Sequence, residues 1–140
     1  MLLGLWCFAT CKLYDYHFFK TKKDWSEAQN HCRKKYTDLA TVSNMTDMDR
    51  LFEPKKRKMG EEAWIGLSNQ TDGIRSWHWS LPGMEFNENN ANWDQSHKEP
   101  NDVGTENCGF INRDLTWGDL SCVTPEFFIC YNGENSLPDV

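Results

Sequence analysis

The sequence lacks any run of apolar residues long enough to cross a membrane, because a spanning helix needs about 20 of them in succession. It also lacks an excess of positive charge. Lys and Arg number 15 against 21 Asp and Glu, which gives a net charge of −6. An acidic chain gives no electrostatic reason to expect a nucleic-acid partner. We therefore predict neither a membrane span nor nucleic-acid binding.

Catalytic and zinc-binding motifs are missing as well. The chain has no GxSxG, HExxH or P-loop sequence, and no CxxC pair typical of zinc ribbons or thioredoxin-type sites. Glu99 and Glu106 could be compared with the carboxylate pair of a glycosidase. Seven residues apart in an Asn-rich loop, they fit metal ligation better. We therefore predict that the protein is not an enzyme and does not turn over a glycan.

The six cysteines are the first feature that is present in quantity; they lie at positions 7, 11, 32, 108, 122 and 130. An even number favours a disulfide framework formed in an oxidising compartment. Spacing alone leaves their pairing open. Seven tryptophans and an aromatic fraction of 14% argue for a packed fold, since disordered chains are poor in aromatic residues.

The N-terminus reads MLLGLWCFATC, a short apolar run followed by small residues. This pattern predicts that residues 1–11 are a signal peptide or its remnant, so that the protein is secreted and extracellular. The alternative is a first buried strand in which Cys7 and Cys11 are bonded to each other. Under the first interpretation one domain covers residues 12–133, and a short tail covers residues 134–140.

Periodicity predicts the early elements. Tyr16 to Phe19 is typical of a strand. A helix follows, opened by a capping box in which Asp24 is the N-cap and Glu27 stands three residues later. The helix places Cys32 on its buried face, together with Trp25, Ala28 and Tyr36.

The residues that follow this helix predict a short strand at residues 39–42 and a second helix capped by Ser43 or Asn44. That helix directs Met45, Met48 and either Leu51 or Phe52 inward. The basic run at residues 55–58 is interpreted as a solvated turn rather than a nuclear signal or an anion patch. Residues 80–105 show little regular pattern, which is typical of a functional loop. Further strands are predicted at Ala63–Leu67, Trp77–Trp79, Cys108–Asn112, Leu115–Asp119 and Phe127–Tyr131.

An ordered set of motifs resembles a C-type lectin-like domain over residues 16–131. The motifs are Trp25-Ser26-Glu27-Ala28-Gln29 with Cys32, Trp64-Ile65-Gly66-Leu67, Glu99-Pro100-Asn101, Glu106-Asn107-Cys108, Trp117-Gly118-Asp119 with Cys122, and Cys130. The organisation is similar to the small secreted lectins of fish. The resemblance implies an α+β fold, with two helices flanking small antiparallel sheets and a long calcium- and sugar-binding loop. It also implies disulfides Cys32–Cys130 and Cys108–Cys122, in which neither Cys7 nor Cys11 takes part.

The resemblance implies that a calcium site is also the sugar site. Its ligands would be Glu99, Asn101, Glu106 and Asp119, with a cis bond before Pro100. In the family, the order Glu-Pro-Asn is typical of glycans with mannose-type hydroxyl geometry. Asp102 and Asn107 lie near family positions for an auxiliary calcium ion.

Gly118 departs from the family triplet Trp-Asn-Asp. A glycine removes one amide carbonyl from the metal and one amide donor from the sugar, and we expect that water could fill the gap. Two alternatives follow from this departure. The chain could be a protein-interaction domain whose degenerate sugar site is inactive, or an ice-binding protein of the same fold, although no feature of the sequence selects ice.

Other residues receive simpler interpretations. Asn44 and Asn69 head glycosylation sequons, although Asn44 could instead only cap a helix. Trp93 and Trp117 are predicted to be core residues rather than sugar-stacking surfaces. The histidines His17, His31, His78 and His97 have no metal spacing, and His78 and His97 are expected at the surface.

The overall hypothesis is a secreted, calcium-dependent, mannose-type lectin that recognises glycans on microbes or cells. Weak single-site binding would need homo-oligomers or multivalent targets, and a protein receptor remains a second partner class.

Overall fold

A computed structural model of the chain describes residues 15–51, 62–69, 76–101 and 107–133. Several predictions from the sequence lie outside these residues: the signal peptide at 1–11 with Cys7 and Cys11, the basic run at 55–58, the tail at 134–140, and the side chain of Phe52.

Within the described residues, two helices and seven strands form an α+β fold, as the sequence predicts. The helices are α1 (Trp25–Lys35) and α2 (Met45–Leu51). The strands are β1 (Asp15–Lys23), β2 (Asp38–Leu39), β3 (Ala63–Ser68), β4 (His78–Trp79), β5 (Cys108–Ile111), β6 (Trp117–Leu120) and β7 (Glu126–Asn132). No helix in this part of the chain combines the length and the apolar character that a membrane crossing requires.

The strands form one mixed sheet in the order β1-β7-β3-β5-β6, with β2 added to β7 and β4 added to β3. Every pairing is antiparallel except that of β3 with β7, where Ala63 stands opposite Phe127. Parallel strands need a long connection. Here the connection from β3 to β7 contains the long loop together with β5 and β6. Both ends of the long loop are therefore attached to strands of the sheet to which β7 also belongs.

The capping box predicted for α1 is present. Asp24 Oδ1 accepts a hydrogen bond from the Glu27 N–H at 2.9 Å, and Glu27 Oε1 accepts one from the Asp24 N–H at 3.0 Å. The buried residues of this helix are Trp25, Ala28 and Cys32. The Trp25 indole donates to the carbonyl of Ile65 at 2.9 Å, which joins the helix to the middle of β3.

Two disulfides connect the elements that the resemblance pairs. Cys32 of α1 is bonded to Cys130 of β7, with a sequence separation of 98 residues. Cys108 of β5 is bonded to Cys122, which follows β6, with a separation of 14 residues. The first bond joins the N-terminal helix to the C-terminal strand, and the second holds the hairpin that borders the long loop.

The second helix corrects one prediction. Asn44 caps it, because its Oδ1 accepts from the Asp47 N–H at 2.9 Å, and Met48 and Leu51 are buried as expected. Met45, however, is 69% exposed. The buried position in the first turn belongs instead to Asp47, whose carboxylate accepts hydrogen bonds from the backbone and hydroxyl of Ser43.

Strand boundaries differ from the prediction at two places. The strand expected at 39–42 ends at Leu39, although Ala40, Thr41 and Val42 remain buried. Leu115 does not begin β6, because it adopts a positive φ of 74° in the preceding turn. The sequence pattern therefore overstated the strand content at these two places.

The two disulfides should contribute unequally to stability. In the chain-entropy account, removing Cys32–Cys130 by a C32A/C130A double substitution should lower the free energy of unfolding by roughly 4–5 kcal/mol, and C108A/C122A by roughly 3 kcal/mol. Urea unfolding followed by tryptophan fluorescence measures both. A larger loss from the 14-residue loop than from the 98-residue loop would contradict this account.

Candidate functional site

The long loop after β4 is joined to β6 through two tryptophans. Trp93 and Trp117 form a parallel β-bridge, and their rings meet edge to face with centroids 5.7 Å apart. The backbone of Trp117 accepts from the Asp94 N–H at 2.9 Å and donates to the Asn92 carbonyl at 2.8 Å. Both indoles are buried, so the prediction that they are core residues is confirmed.

The contact between Trp93 and Trp117 also positions the start of the Glu-Pro-Asn segment in space. Asp94 accepts a hydrogen bond from the Glu99 N–H at 3.0 Å through its carbonyl oxygen. Between them lies a 3₁₀ turn over Gln95–His97, closed by Lys98 in the left-handed conformation with φ 57°. The chain therefore returns at Glu99 to the strand that carries Asp119.

Three of the four predicted ligands come together here. Asn101 donates its backbone N–H to Asp119 Oδ1 at 3.1 Å and its side-chain Nδ2 to Glu99 Oε2 at 3.3 Å. The Asp119 N–H donates to Glu99 Oε1 at 3.4 Å. The peptide bond between Glu99 and Pro100 is cis.

Asp119 is the most unusual member of the group. It is 2% exposed, and its Oδ2 is buried without a hydrogen-bond partner in the part of the chain that the structure describes. Burial and the neighbouring Asp119 carboxyl raise the pKa of Glu99 from 4.5 to about 7. Two carboxyl groups so close disfavour double ionisation unless a cation joins them.

The residues present fit calcium in their chemistry. Calcium takes carboxylate and amide oxygens, and Glu99, Asn101 and Asp119 supply them around a buried carboxylate oxygen that no protein donor satisfies. Within the described ranges no group of three or more His, Cys, Asp and Glu side chains gathers into a metal site. Only two acids of the predicted ligand set, Glu99 and Asp119, lie in these ranges, since Glu106 is outside the described residues.

The remaining predicted ligands are placed only in part. Asp102, like Glu106, lies outside the described residues. Asn107 is described, and its carbonyl accepts from the Asn69 N–H at 2.8 Å, at the junction of β3 and β5. The proposed auxiliary site at Asp102 and Asn107 therefore stays a prediction.

Phe110 explains why position 118 is a glycine. The two residues stand opposite each other on β5 and β6. A Cβ built on Gly118 would lie 2.6 Å from Phe110 Cζ and 3.2 Å from Glu99 Cδ. The ring of Phe110 thus occupies the space into which the Cβ of a side chain at 118 would extend. That water completes the coordination of a bound calcium ion in place of the missing amide stays a prediction.

Sequence reasoning missed the role of Phe110, although one signal was available. A glycine in a strand often marks a close approach of another group. Gly118 lies in the buried middle of β6, so it could have been interpreted as a packing constraint rather than only as a missing ligand.

The two histidines expected at the surface, His78 and His97, are exposed. His97 is exposed, and its Nδ1 lies 2.8 Å from Asp94 Oδ2, a hydrogen bond that raises the pKa of His97. His78 is also exposed, and it borders a pocket of about 480 Å³ that the sequence did not predict. The pocket is lined by Trp77, His78, Gly83, Met84, Glu85 and Phe86, none of which belongs to the predicted site.

Comparison with known proteins gives one family. The family described as "Lectin C-type domain" matches residues 21–132. The chain is 29% identical over 118 residues to human C-type lectin domain family 17, member A, covering 82% of this chain and 28% of that protein. It is 32% identical over 120 residues to perlucin of Haliotis laevigata, covering 82% and 74%. The first three curated relatives are longer, and the chain spans 28%, 61% and 37% of them.

Solved structures share the fold. The C-type lectin domain of murine dendritic cell inhibitory receptor 2, determined in complex with N-glycan, superimposes with a TM-score of 0.72 at 22% identity. The match covers 86% of this chain and 91% of that one. At this identity the similarity establishes the fold alone.

Gly118→Ala should destabilise the protein because of Phe110. We expect a loss of roughly 1–3 kcal/mol in the free energy of unfolding, the usual cost of overpacking. Phe110→Ala removes the ring, so Gly118→Ala should cost little in that background. A double-mutant cycle measured by urea unfolding gives the coupling. An equal cost in both backgrounds would show that Phe110 is not the obstacle.

The raised pKa of Glu99 predicts how stability depends on pH in calcium-free buffer. The folded protein holds this proton more tightly than the unfolded chain, so the contribution of Glu99 is greatest below pH 4.5 and is lost as pH rises to about 7. Melting temperatures of wild type and Glu99→Gln across this range, in EDTA, measure the difference. Because Glu99 also helps to raise the pKa of His97, both proteins carry His97→Gln in this comparison. Parallel profiles would contradict the prediction.

Proposed function

The chain belongs to the C-type lectin domain family, and on that premise we propose that it binds glycans of mannose-type hydroxyl geometry in a calcium-dependent manner. The proposal concerns binding without turnover. Its site is the group formed by Glu99, Asn101 and Asp119, to which the sequence adds Glu106.

The observation that carries the proposal is the buried carboxylate of Asp119. One of its oxygens accepts from the Asn101 backbone, and the other has no hydrogen-bond partner among the described residues. A buried charge without a partner is costly, and proteins retain such groups chiefly where a ligand or metal satisfies them. Glu99, with its raised pKa, lies directly beside it.

Each side chain has a distinct part. Glu99, Asn101, Glu106 and Asp119 would hold a calcium ion, which when bound would supply direct coordination of sugar hydroxyls. Asn101 orients the two acids that the structure describes, since it donates to Glu99 through its amide and to Asp119 through its backbone. The carboxylates of Glu99 and Glu106 accept hydrogen bonds from sugar hydroxyls, and the Asn101 amide can donate to them.

The order of acceptor and donor along the segment supports the mannose-type preference. Glu99 presents an acceptor and Asn101 presents a donor, with Pro100 between them. An order of Gln-Pro-Asp would exchange these positions and suit galactose-type hydroxyl geometry in the family. The preference for mannose-type over galactose-type glycans therefore depends on whether the first or the third residue of this segment donates a hydrogen bond to the sugar.

Position 118 limits affinity. Gly118 contributes no amide donor, and Phe110 excludes one from the space beside Glu99. A missing hydrogen bond to sugar costs on the order of 1 kcal/mol. We therefore propose weak single-site binding that becomes useful through homo-oligomers or multivalent glycan surfaces, on microbes or cells.

Secretion is part of the same proposal. Two disulfides in a small domain are typical of extracellular proteins. The predicted signal peptide at residues 1–11 points in the same direction, with the mature domain beginning at Lys12.

One observation favours a second candidate function. Because Phe110 fills the space where the asparagine of the family triplet would begin its side chain at position 118, the second candidate is a domain that has lost sugar binding and contacts a protein receptor instead. No observation favours ice binding. The two remaining functions differ in one measurable property, which is whether calcium controls retention on a glycan.

The test is retention of residues 12–140 on mannan-agarose in millimolar calcium, followed by elution with EDTA. We expect retention with EDTA release, competition by methyl mannoside, and little competition by galactose. Glu99→Gln should weaken retention at least tenfold, because it removes a charged ligand.

Glu88→Gln is the matched control, since Glu88 is an exposed acid of the same long loop outside the site, and it should bind like wild type. Thermal melts with added calcium give a second measurement, because a bound ion stabilises the folded state. Flow-through in calcium, without any calcium-dependent stabilisation, would overturn the proposal and direct attention to protein partners.

A further inference from the structure

The asparagines that head the two glycosylation sequons, Asn44 and Asn69, lie in opposite environments. Asn44-Met45-Thr46 begins α2, and Asn44 and Thr46 are exposed. Asn69 heads the second sequon at the end of β3 and is 1% exposed. Burial of the acceptor amide decides whether a glycan on it is compatible with the folded chain.

Asn44 presents the nitrogen that would carry a glycan. Its Oδ1 accepts from the Asp47 N–H at 2.9 Å, and its backbone carbonyl accepts from Met48 at 3.1 Å. The described parts of the chain place no hydrogen-bond partner on Nδ2. A glycosylated asparagine keeps its amide oxygen, so Asn44 can cap the helix and carry a glycan at once.

Asn69 has no such freedom. Its Oδ1 accepts from the Ser76 N–H at 3.1 Å, and its backbone donates to Asn107 at 2.8 Å. Its Nδ2 is buried. A sugar on that nitrogen would require displacing the packed junction between β3 and β5, since interiors have few voids as large as a sugar ring.

We propose that Asn44 is the N-glycosylation site of this protein and that Asn69 stays unmodified. The inference depends on the proposed secretion, because the donor is found on that route. Asn44 Nδ2 loses a proton and forms a bond to the anomeric carbon of an oligosaccharide carried on a polyprenyl diphosphate. The bond between that carbon and the diphosphate breaks, and polyprenyl diphosphate leaves.

The modification also accounts for an exposed apolar side chain. Met45, the middle residue of the sequon, is 69% exposed at the first position of α2. A bulky, solubilising glycan on the preceding residue would shield it from other molecules. The cap on α2 and the glycan would then occupy different atoms of one asparagine.

The test is expression of the full chain behind a heterologous secretion leader in a cell that adds N-glycans. Treatment with a peptide N-glycosidase should cause one shift in mobility, and peptide mass analysis should find the deamidated product at position 44 only. Thr46→Ala is the sharpest variant, because it destroys the sequon and leaves the Asn44 cap intact. It should abolish the shift while the melting temperature remains that of the enzymatically deglycosylated wild type.

Two results would overturn the inference: a secreted wild type without any shift, or a shift that persists in Thr46→Ala because Asn69 carries a glycan. Neither depends on lectin activity. Retention of Thr46→Ala on mannan-agarose, measured separately, reports on the proposed binding function whatever the glycan result.

Discussion

The contact between Trp93 and Trp117 holds the long loop against β6, and the candidate site depends on it. The loop residues up to Asn101 carry only two short 3₁₀ turns, so their own backbone bonds cannot position the loop. The two indoles meet edge to face, and the flanking backbone groups pair with each other. Because Glu99 is bonded back to Asp94, the tryptophan contact fixes the distance between the loop acid and Asp119 on the strand.

Charge and packing oppose each other at this site. Glu99 and Asp119 come together in a partly buried place, where burial and the Asp119 carboxyl raise the pKa of Glu99. On the neighbouring strand Phe110 excludes a further polar side chain at position 118. The site therefore combines two close carboxyl groups with an aromatic ring that lies where a side chain at position 118 would extend.

Much of the fold could be predicted from local pattern. The capping box of Asp24 and Glu27, the buried spacing that ends at Cys32, and the apolar run around Trp64 are local signals, and each is present in the structure. Met45 shows the limit of such signals. Its spacing from Met48 indicates an inward residue, but Asp47 occupies the buried position of the first turn because its carboxylate binds Ser43. A polar contact across a turn overrode the apolar periodicity.

The amino-acid order by itself determined the residue types of the site, the sequon positions and the acidic character of the long loop, since these are properties of single residues and their near neighbours. Only the tertiary structure decided which acids meet, why residue 118 is glycine, and which of Asn44 and Asn69 is accessible. The physical reason is the same in all three cases. Each outcome depends on contacts between different strands or segments, such as Phe110 of β5 against Gly118 of β6 and Asn69 against Asn107, and steric exclusion and burial arise only once those segments pack.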